Sequence, residues 1–361
     1  FGASSLGGVF HGIDEGEAIK AVFTAVENGI NFIDVSPYYG HLKAETVLGK
    51  ALKDIPRDKF ILSTKVGRYG KDGVNIWDYS AKRAEESVYE SMERLNVDYI
   101  DLINVHDVEF TDLRQVAEET LPALVELREK GVVSHVGITD LQPENLKWLV
   151  ENTPEGTIES ILNFCHYCLN DDLLLDYLDF FEERGIGIIN ASPLSMGLLS
   201  QRGTPDWHPA PEPLKEACAR AAAYCTEQGY PIEKLAVQYS TSLNPRIATT
   251  LFSSANPENV LKNISYVDEP VDITVDENGY GVWAYMCSYS DIELNTRFDT
   301  ELAASAVKAQ YPARIVITAQ NTNYEAVEVS TAAGLIENIN KAGESGEKQF
   351  VTLANDLVLS E

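Results

Sequence analysis

Short apolar segments alternate with stretches of helical periodicity over about the first 265 residues. The apolar segments predict eight strands, at residues 2–7, 31–35, 60–66, 99–106, 134–139, 160–164, 185–192 and 248–254. The stretches between them predict helices near residues 14–28, 44–53, 80–95, 113–130, 143–151, 172–184, 214–228 with 232–242, and 257–264. Each helical stretch is long enough for one crossover between parallel strands. The pattern therefore predicts an α/β protein, a (β/α)8 TIM barrel.

An open, doubly wound sheet is the alternative fold that the alternation of strands and helices allows. The usual dinucleotide-binding version of that fold has a Gly-x-Gly-x-x-Gly stretch after its first strand, and none follows the first predicted strand here. We therefore assign residues 1–270 to the barrel. The alternation of strands and helices does not continue in residues 271–361. Their mixture of strand-like and helix-like segments predicts an extra C-terminal segment, a small α+β appendage.

Polar side chains stand where several predicted strands end. Asp34 ends the second strand and Tyr39 follows it in the loop, whereas Lys65 ends the third strand and His106 the fourth. In a barrel of this kind the active site lies where the carboxyl ends of the strands meet their loops. We therefore expect these four side chains to converge at one end of the barrel.

The chemistry of this group favours proton transfer. A buried lysine needs a carboxylate within reach, and Asp34 supplies one for Lys65. An ammonium beside a phenol favours the phenolate, so we expect the pKa of Tyr39 to fall from about 10 toward working pH. Taken singly, each residue has a structural explanation, because Asp34 could cap the next segment and Tyr39 could pack at the rim. Their convergence favours catalysis.

This arrangement resembles the Asp-Tyr-Lys-His tetrad of the aldo-keto reductases, over residues 1 to about 265. Longer blocks, such as "INFIDVSPYYG", "STKVGRYG" and "NASPLSMGLLSQRGTPDWHP", are similar to the members of that family that oxidise L-galactose. The resemblance implies NAD-dependent oxidation of an aldose at C1 to its aldonolactone. It makes Tyr39 the acid/base, with Lys65 and Asp34 stabilising its phenolate and His106 holding the sugar oxygen. L-Galactose, L-fucose and D-arabinose are the candidate sugars.

A cofactor site is implied partly by composition and partly by the resemblance. Small residues after the seventh strand would let backbone N–H groups approach a pyrophosphate. In NADP-preferring relatives an arginine usually stands where Asn259 stands here, so we expect NAD. The family pattern departs at Ser253-Ser254, where Gly-Met is frequent, and at Asp140, where asparagine or glycine is usual. The cofactor candidates are Thr139, Asp140, Asn163, Ser192, Pro193, Leu194, Ser195, Gly197, Ser253, Ser254, Asn256, Asn259 and Asn263.

Substrate recognition is predicted from polar residues near the strand ends, which could bind the hydroxyl groups of a sugar. The candidates are Tyr38, Asp107, Cys165 and His166. Cys165 and Cys168 have the spacing of half a zinc site, but no second pair lies nearby, so we predict no metal. Cys218 and Cys225 lie seven positions apart, and we expect them to share the buried face of a helix.

Composition restricts the class of partner. The chain has 361 residues, 44% of them hydrophobic, which suits a large barrel with additional material. Its formal charge of −28 would repel nucleic acid and anionic membranes. Five cysteines without regular spacing and the lack of a long apolar run favour a cytoplasmic protein with no membrane partner. The partner that we expect is a small sugar; oligomeric state is left open.

Two other functions compete with the sugar dehydrogenase. A reductase of small aldehydes that works with NADPH would need another cation for the 2′-phosphate. A non-catalytic barrel that binds a nucleotide as a regulatory or assembly subunit would use the C-terminal segment as its contact surface. The intact tetrad argues against that reading.

Overall fold

The computed structural model describes residues 1–8, 12–71, 73–227, 229–242 and 244–269, together with residues 327–329 and 351–353. The chain divides into two compact units. The first unit comprises Phe1–Cys168, Asp172–Met196 and Ala236–Glu269. Of the described residues, the second comprises Leu169–Asp171 and Gly197–Leu235, with 327–329 and 351–353.

The described strands are β1 (Phe32–Asp34), β2 (Ile61–Val66), β3 (Arg68–Lys71), β4 (Val74–Trp77), β5 (Ile100–Val105), β6 (Val133–Asp140), β7 (Ser160–Phe164), β8 (Gly187–Ala191), β9 (Thr249–Leu251), β10 (Val327–Val329) and β11 (Val351–Leu353). The described α-helices are α1 (Glu15–Glu27), α2 (Lys43–Leu52), α3 (Ala81–Leu95), α4 (Leu113–Gln115), α5 (Leu121–Glu129), α6 (Pro143–Glu151), α7 (Leu178–Glu182), α8 (Glu212–Glu227), α9 (Ile232–Ser242) and α10 (Pro257–Asp268).

Seven parallel strands form the sheet of the first unit, in the order β1-β2-β5-β6-β7-β8-β9. The N-terminal segment closes this sheet, because Gly2 makes a parallel bridge to Asp34 on one side and to Ser253 on the other. The amide of Gly2 donates to the carbonyl of Phe252 at 2.7 Å, and the amide of Ala3 donates to that of Asp34 at 2.7 Å. The N-terminal segment thus occupies the position of the eighth strand, and the predicted (β/α)8 barrel is confirmed.

The first predicted strand is shorter in the structure than in the prediction. A strand was expected over residues 2–7, but Ser4–Gly7 forms a turn of 3-10 helix after the bridge at Gly2. Glycine has low strand propensity. Gly7 also packs so closely against the backbone of Tyr39 and Gly40 that a side chain at this position would clash. The chain therefore bends here to support the loop that carries Tyr39.

Apolar side chains that pack between the helices and the strands stabilise the barrel. Val22 of α1 and Leu48 of α2 are fully buried in one cluster with Ile33 of β1 and Leu62 of β2. Burying each such side chain stabilises the fold by about 1.5–3 kcal/mol. A second cluster joins β5, β7, β8 and β9 through Leu102, Leu162, Ile189 and Leu251.

Several described elements are not part of the seven-stranded sheet. The antiparallel hairpin of β3 and β4 was not predicted; Gly73 has φ 81° at its turn. In the second unit, Cys218 and Cys225 share the buried face of α8, as expected. Strands β10 and β11 pair in parallel, and otherwise the predicted α+β appendage lies outside the described residues. Among the described residues, no helix has both the length and the hydropathy needed to span a membrane.

Candidate active site

The loop after β1 carries Tyr39 back over the end of the barrel. Gly40, the next residue, has φ 61°, and a Cβ there would collide with the backbone of Gly7. Glycine meets both demands at little cost because it has no Cβ. The Tyr-Gly pair noted in the sequence therefore fixes the backbone beside the phenol.

Lys65 and Asp34 form a buried ion pair beneath Tyr39. Their side chains are 1% and 5% exposed, and Nζ of Lys65 lies 2.5 Å from Oδ1 of Asp34. The ammonium also donates to the carbonyl of Val35 at 2.8 Å, while Oδ2 of Asp34 accepts from the hydroxyl of Ser63 at 2.7 Å. Burial lowers the pKa of Lys65, but attraction to Asp34, Tyr39 and Asp107 together outweighs it, so the pKa is raised overall. The lysine is therefore a fixed positive charge.

Tyr39 lies against this charge, with Nζ of Lys65 5.0 Å from the centre of its ring. The expected fall in the pKa of Tyr39 is nevertheless wrong for the protein alone. Burial raises the pKa of Tyr39 to about 12, and the attraction of Lys65 offsets only part of that rise. Asp34 and Asp107, both negative, raise it further. In the structure Tyr39 thus holds its proton at neutral pH.

His106 faces Tyr39 edge to face, with the two ring centres 5.6 Å apart. Its Nδ1 lies 3.0 Å from Oγ of Ser36, and its backbone amide donates to the carbonyl of Val66 at 2.9 Å. Burial lowers the pKa of His106 to about 3. The imidazole is therefore neutral at physiological pH and can donate one hydrogen bond while accepting another.

Asp107 and Arg68 form a second ion pair beside His106. The guanidinium of Arg68 stacks on Tyr38, with Cζ 3.8 Å from the ring centre. Oδ1 of Asp107 accepts from the hydroxyl of Thr139 at 3.1 Å, and that hydroxyl accepts from the amide of Asp107 at 2.8 Å. Although burial raises the pKa of Asp107, the guanidinium of Arg68 and the hydroxyl of Thr139 help to lower it below its usual value. Of the substrate candidates, the structure thus brings Tyr38 and Asp107 to the tetrad.

Two further carboxyl groups lie near this pair. Burial and the neighbouring Asp107 raise the pKa of Glu109. Burial also raises the pKa of Asp140, although Oδ1 accepts from the amide of Gln142 at 2.6 Å and Oδ2 from Nδ2 of Asn145 at 2.9 Å. Both oxygens of Asp140 therefore already accept hydrogen bonds from the following turn.

Asn163 has a buried acceptor that fits a bound amide. Its Nδ2 donates to the carbonyls of Asp140 and Leu141, both at 2.9 Å. Within the described part of the chain, its Oδ1 is buried and accepts no hydrogen bond. An acceptor left unsatisfied in this way costs about 1–3 kcal/mol. The carboxamide NH2 of a nicotinamide would satisfy it, so this end of the barrel fits such a group.

The loop after β8 has an unusual backbone. Ser192 has φ 62° and Ser195 has φ 46°, and the carbonyl of Ser192 accepts from the amide of Ser195 at 2.8 Å. Left-handed backbone of this kind points N–H groups into concave sites. Pro193 and Leu194 form the turn between these serines, while Gly197 belongs to the second unit. Binding of a cofactor by this loop stays a prediction.

The segment around the start of α10 uses several predicted cofactor residues to hold itself together. Ser253 accepts from the amide of Ser5 at 2.9 Å, and Oγ of Ser254 accepts from the amide of Asn256 at 3.1 Å. Oδ1 of Asn256 caps α10 by accepting from the amide of Glu258 at 2.8 Å. Asn259 is exposed, and its carbonyl accepts from Nδ2 of Asn263 at 2.9 Å. Their role in cofactor binding also stays a prediction.

The remaining candidates lie after β7. Cys165 is buried with φ 65°, and the carbonyl of His166 accepts from the amide of Leu174 at 2.9 Å. Their contact with a substrate stays a prediction. Within the described residues, no group of three or more His, Cys, Asp and Glu side chains could hold a metal ion.

Sequence reasoning missed three residues of this site: Ser36, Ser63 and Arg68. Ser63 could have been found from strand alternation, because it stands two positions before Lys65 and so faces the same side of β2. Ser36 stands between Asp34 and Tyr39 in the same loop. Arg68 was missed because the hairpin that carries it was not predicted from the Asp-Gly dipeptide at 72–73.

Comparison with known proteins identifies the family. The profile of the Aldo/keto reductase family matches residues 1–276, about three quarters of the chain. The chain belongs to the aldo/keto reductase family. It is therefore an oxidoreductase of a family that works with a nicotinamide cofactor.

Several relatives within the family are sugar dehydrogenases. L-Galactose dehydrogenase of Arabidopsis thaliana is 43% identical over 77% of this chain and 86% of its own length. D-Arabinose 1-dehydrogenase of Saccharomyces cerevisiae is 37% identical over 63% of this chain and 71% of its own. D-threo-Aldose 1-dehydrogenase of a Pseudomonas species is 29% identical over 74% of this chain and 88% of its own.

Solved structures agree on the fold. The aldo-keto reductase AKR11C1 from Bacillus halodurans, in its holo form, is 27% identical, with a TM-score of 0.65 over 80% of this chain and 90% of its own. An aldo-keto reductase from Klebsiella pneumoniae in complex with NADPH has a TM-score of 0.61 over 82% of this chain and 91% of its own. At 18% identity the latter supports the fold alone.

Proposed function

We propose that this protein oxidises an aldose, L-galactose or a closely related sugar, at C1 to its aldonolactone with NAD. The observation that carries the proposal is the buried Lys65–Asp34 pair, with Nζ 2.5 Å from Oδ1, beneath a phenol that faces His106. Buried ion pairs are expensive to maintain, and an adjacent titratable group gives this one a purpose. The three sugar dehydrogenases among the relatives support the substrate class.

In this reaction Tyr39 takes the proton of the C1 hydroxyl group. The ammonium of Lys65 stabilises the phenolate that accepts this proton, and Asp34 keeps the ammonium in place. His106 is neutral and holds the sugar oxygen by a hydrogen bond. The bound nicotinamide supplies the acceptor for the hydride that leaves C1, with the acceptor Oδ1 of Asn163 available to its carboxamide.

The preference for NAD rests on the start of α10. Asn259 is exposed there and carries no charge to pair with a 2′-phosphate. The nearest cation along α10, Lys262, lies one turn further on, with Nζ 5.7 Å from the ring centre of Tyr266. We expect Asn259→Arg to raise kcat/KM with NADP and to leave kcat/KM with NAD little changed.

A carbonyl reductase is the second candidate, because a specific observation favours it. Burial raises the pKa of Tyr39 to about 12, so the phenol is a proton donor at neutral pH, as reduction of an aldehyde requires. One relative, the NADH-specific methylglyoxal reductase of Escherichia coli, is 27% identical over 55% of this chain and 62% of its own.

The test is the initial rate of cofactor reduction with L-galactose, L-fucose, D-arabinose and D-galactose, with NAD and NADP in parallel. Methylglyoxal with NADH and NADPH provides the reductive arm. The proposal predicts the highest kcat/KM for L-galactose or one of its relatives with NAD. Faster turnover of methylglyoxal than of any sugar would replace it with the reductase. No turnover in either direction would favour a binding subunit.

A further inference from the structure

The two ring nitrogens of His106 face different partners. Nδ1 lies 3.0 Å from Oγ of Ser36, and Nε2 lies 3.4 Å from Oδ2 of Asp107. Ser36 is fully buried and His106 is 2% exposed. A neutral imidazole has one nitrogen that donates and one that accepts, and only the nitrogen that carries hydrogen can donate to a substrate oxygen. The partners therefore decide whether His106 can perform its role.

The hydroxyl group of Ser36 determines the state of Nδ1. Its oxygen accepts from the amide of Tyr38 at 3.1 Å, which leaves its own hydrogen to be placed. Among the described residues, Nδ1 of His106 is the acceptor within reach of that hydrogen. If Nδ1 carried hydrogen instead, the hydroxyl of Ser36 would be buried without an acceptor, which is unfavourable. Nδ1 therefore accepts and carries no hydrogen.

The carboxylate of Asp107 selects the same tautomer from the other side of the ring. Arg68 and Thr139 both contact this carboxylate and hold it in its charged form. A lone pair on Nε2 would face a negative oxygen at 3.4 Å and be repelled, whereas an Nε2–H is attracted. The contact of Ser36 with Nδ1 and that of Asp107 with Nε2 thus favour the same tautomer.

We propose that Ser36 is a positioning residue that holds His106 in the tautomer with hydrogen on Nε2. This Nε2–H is the group that donates to the sugar oxygen, which is the part of the inference that rests on the proposed function. Ser36 touches no reacting atom and acts through His106. The negative charge of Asp107, 3.4 Å from Nε2, favours this tautomer, and the Nε2–H donates to the substrate oxygen.

Nitrogen-15 NMR tests the tautomer without any need for activity. The chain has six histidines, and the signals of His106 are assigned by their loss in His106→Gln. In the wild-type protein we expect Nδ1 to have the shift of an unprotonated nitrogen and Nε2 that of a protonated one. In Ser36→Ala we expect the two shifts to move toward each other as the second tautomer gains population. A protonated Nδ1 in the wild-type protein would overturn the proposal.

Kinetics of three variants separate Ser36 from general effects of burial. Ser36→Ala should lower kcat/KM for the best aldose by roughly ten- to a hundredfold, a usual loss when a group that orients a functional side chain is removed. Ser36→Thr keeps the hydroxyl and should recover most of that loss. Ser91→Ala removes another buried hydroxyl, one that accepts from Nη2 of Arg94 at 3.1 Å, and should leave the His106 shifts and the rate unchanged.

The outcomes distinguish this inference from the proposed function. Unchanged shifts in Ser36→Ala would overturn the positioning role, whatever the rate. If the wild-type protein turns over no sugar but the shifts respond as expected, the proposed function fails and the assignment of the tautomer stands. If sugar is oxidised and Ser36→Ala is as fast as the wild type, the positioning role fails and the function stands.

Discussion

Two ion pairs with buried carboxylates lie on opposite faces of β2 and are built in the same way. Asp34 accepts from Ser63 with one oxygen and from Lys65 with the other, at 2.7 and 2.5 Å. Glu45 of α2 likewise accepts from the hydroxyl of Thr64 with one oxygen and from Nε of Arg94 with the other, both at 2.7 Å. Each carboxylate thus combines a hydroxyl of β2 with a cation.

The two pairs differ in their surroundings. Residues alternate along a strand, so Ser63 and Lys65 face one side of β2 and Thr64 faces the other. Lys65 lies against the phenol of Tyr39, whereas Glu45 and Arg94 join the helices α2 and α3 to β2. Burial and pairing therefore do not distinguish a catalytic charge from a structural one. The phenol next to Lys65 does, whereas the neighbour of Arg94 is a carboxylate, Glu90, 3.7 Å from Nη1.

The largest effect is expected from removing the charge next to Tyr39. Lys65→Met keeps the apolar stem but removes the ammonium that stabilises the phenolate. We expect kcat for aldose oxidation to fall roughly 100- to 10,000-fold. Circular dichroism and cofactor binding by fluorescence serve as controls for folding. A fall of less than tenfold in a folded variant would mean that Lys65 is structural.

The matching change in the other pair should affect stability instead. Arg94→Met leaves Glu45, whose side chain is fully buried, without its cation. Breaking a buried pair in this way costs about 3–5 kcal/mol. Urea unfolding should show that loss, while kcat measured at a temperature where the variant is folded should stay close to the wild-type value. A large loss of kcat without loss of stability would contradict the distinction.

A smaller and more closely matched comparison uses the two hydroxyls on neighbouring positions of β2. Ser63→Ala and Thr64→Val each remove one hydrogen bond to a buried carboxylate, worth about 1.5–3 kcal/mol. Ser63→Ala also removes the acceptor of Nδ2 of Asn104 at 3.0 Å, so it should lower the free energy of unfolding somewhat more than Thr64→Val. Only Ser63→Ala should lower kcat, by about tenfold, because Asp34 then positions Lys65 less well. Equal kinetic effects of the two variants would remove the difference between the faces.

The smallest of the expected effects is the pH dependence of the oxidation rate. Oxidation needs Tyr39 without its proton, and burial raises the pKa of Tyr39 to about 12. The rate should therefore rise with pH from 7 to 9, by at most about tenfold per unit for a single group. Arg94→Met should keep the shape of this profile. A flat profile in the wild type would show that Tyr39 is not the base.

Much of this fold could be predicted from the sequence because the apolar periods are strong. β7 lies at residues 160–164 as predicted, and α6 at 143–151. The 3-10 turn at Ser4–Gly7 could not be predicted, since it depends on the close approach of Gly7 to the Tyr39 loop, which is remote in sequence. The hairpin of β3 and β4 had a signal in the Asp-Gly dipeptide at 72–73, which is typical of hairpin turns.

The candidate site was predicted in part for a similar reason. Strand ends locate Asp34, Lys65 and His106 once a barrel is assumed, because parallel strands end at the same rim. The pKa of Tyr39 could not be predicted, since it depends on burial against the attraction of Lys65, and that balance requires coordinates. The pair of Glu45 and Arg94 was missed because both residues lie on helices, where charged side chains are usually exposed.

The most direct test of the central claim is a rapid-mixing measurement of cofactor reduction by wild type and Tyr39→Phe. Each protein, saturated with NAD, is mixed with the sugar that gives the highest steady-state rate, and the absorbance of NADH is followed through a single turnover. We expect Tyr39→Phe to bind NADH as the wild type does. Its rate of NAD reduction should be lower by roughly 1,000-fold or more. A rate within tenfold of the wild type would contradict the assignment of Tyr39 as the proton acceptor, and with it the catalytic role of the Lys65–Asp34 pair.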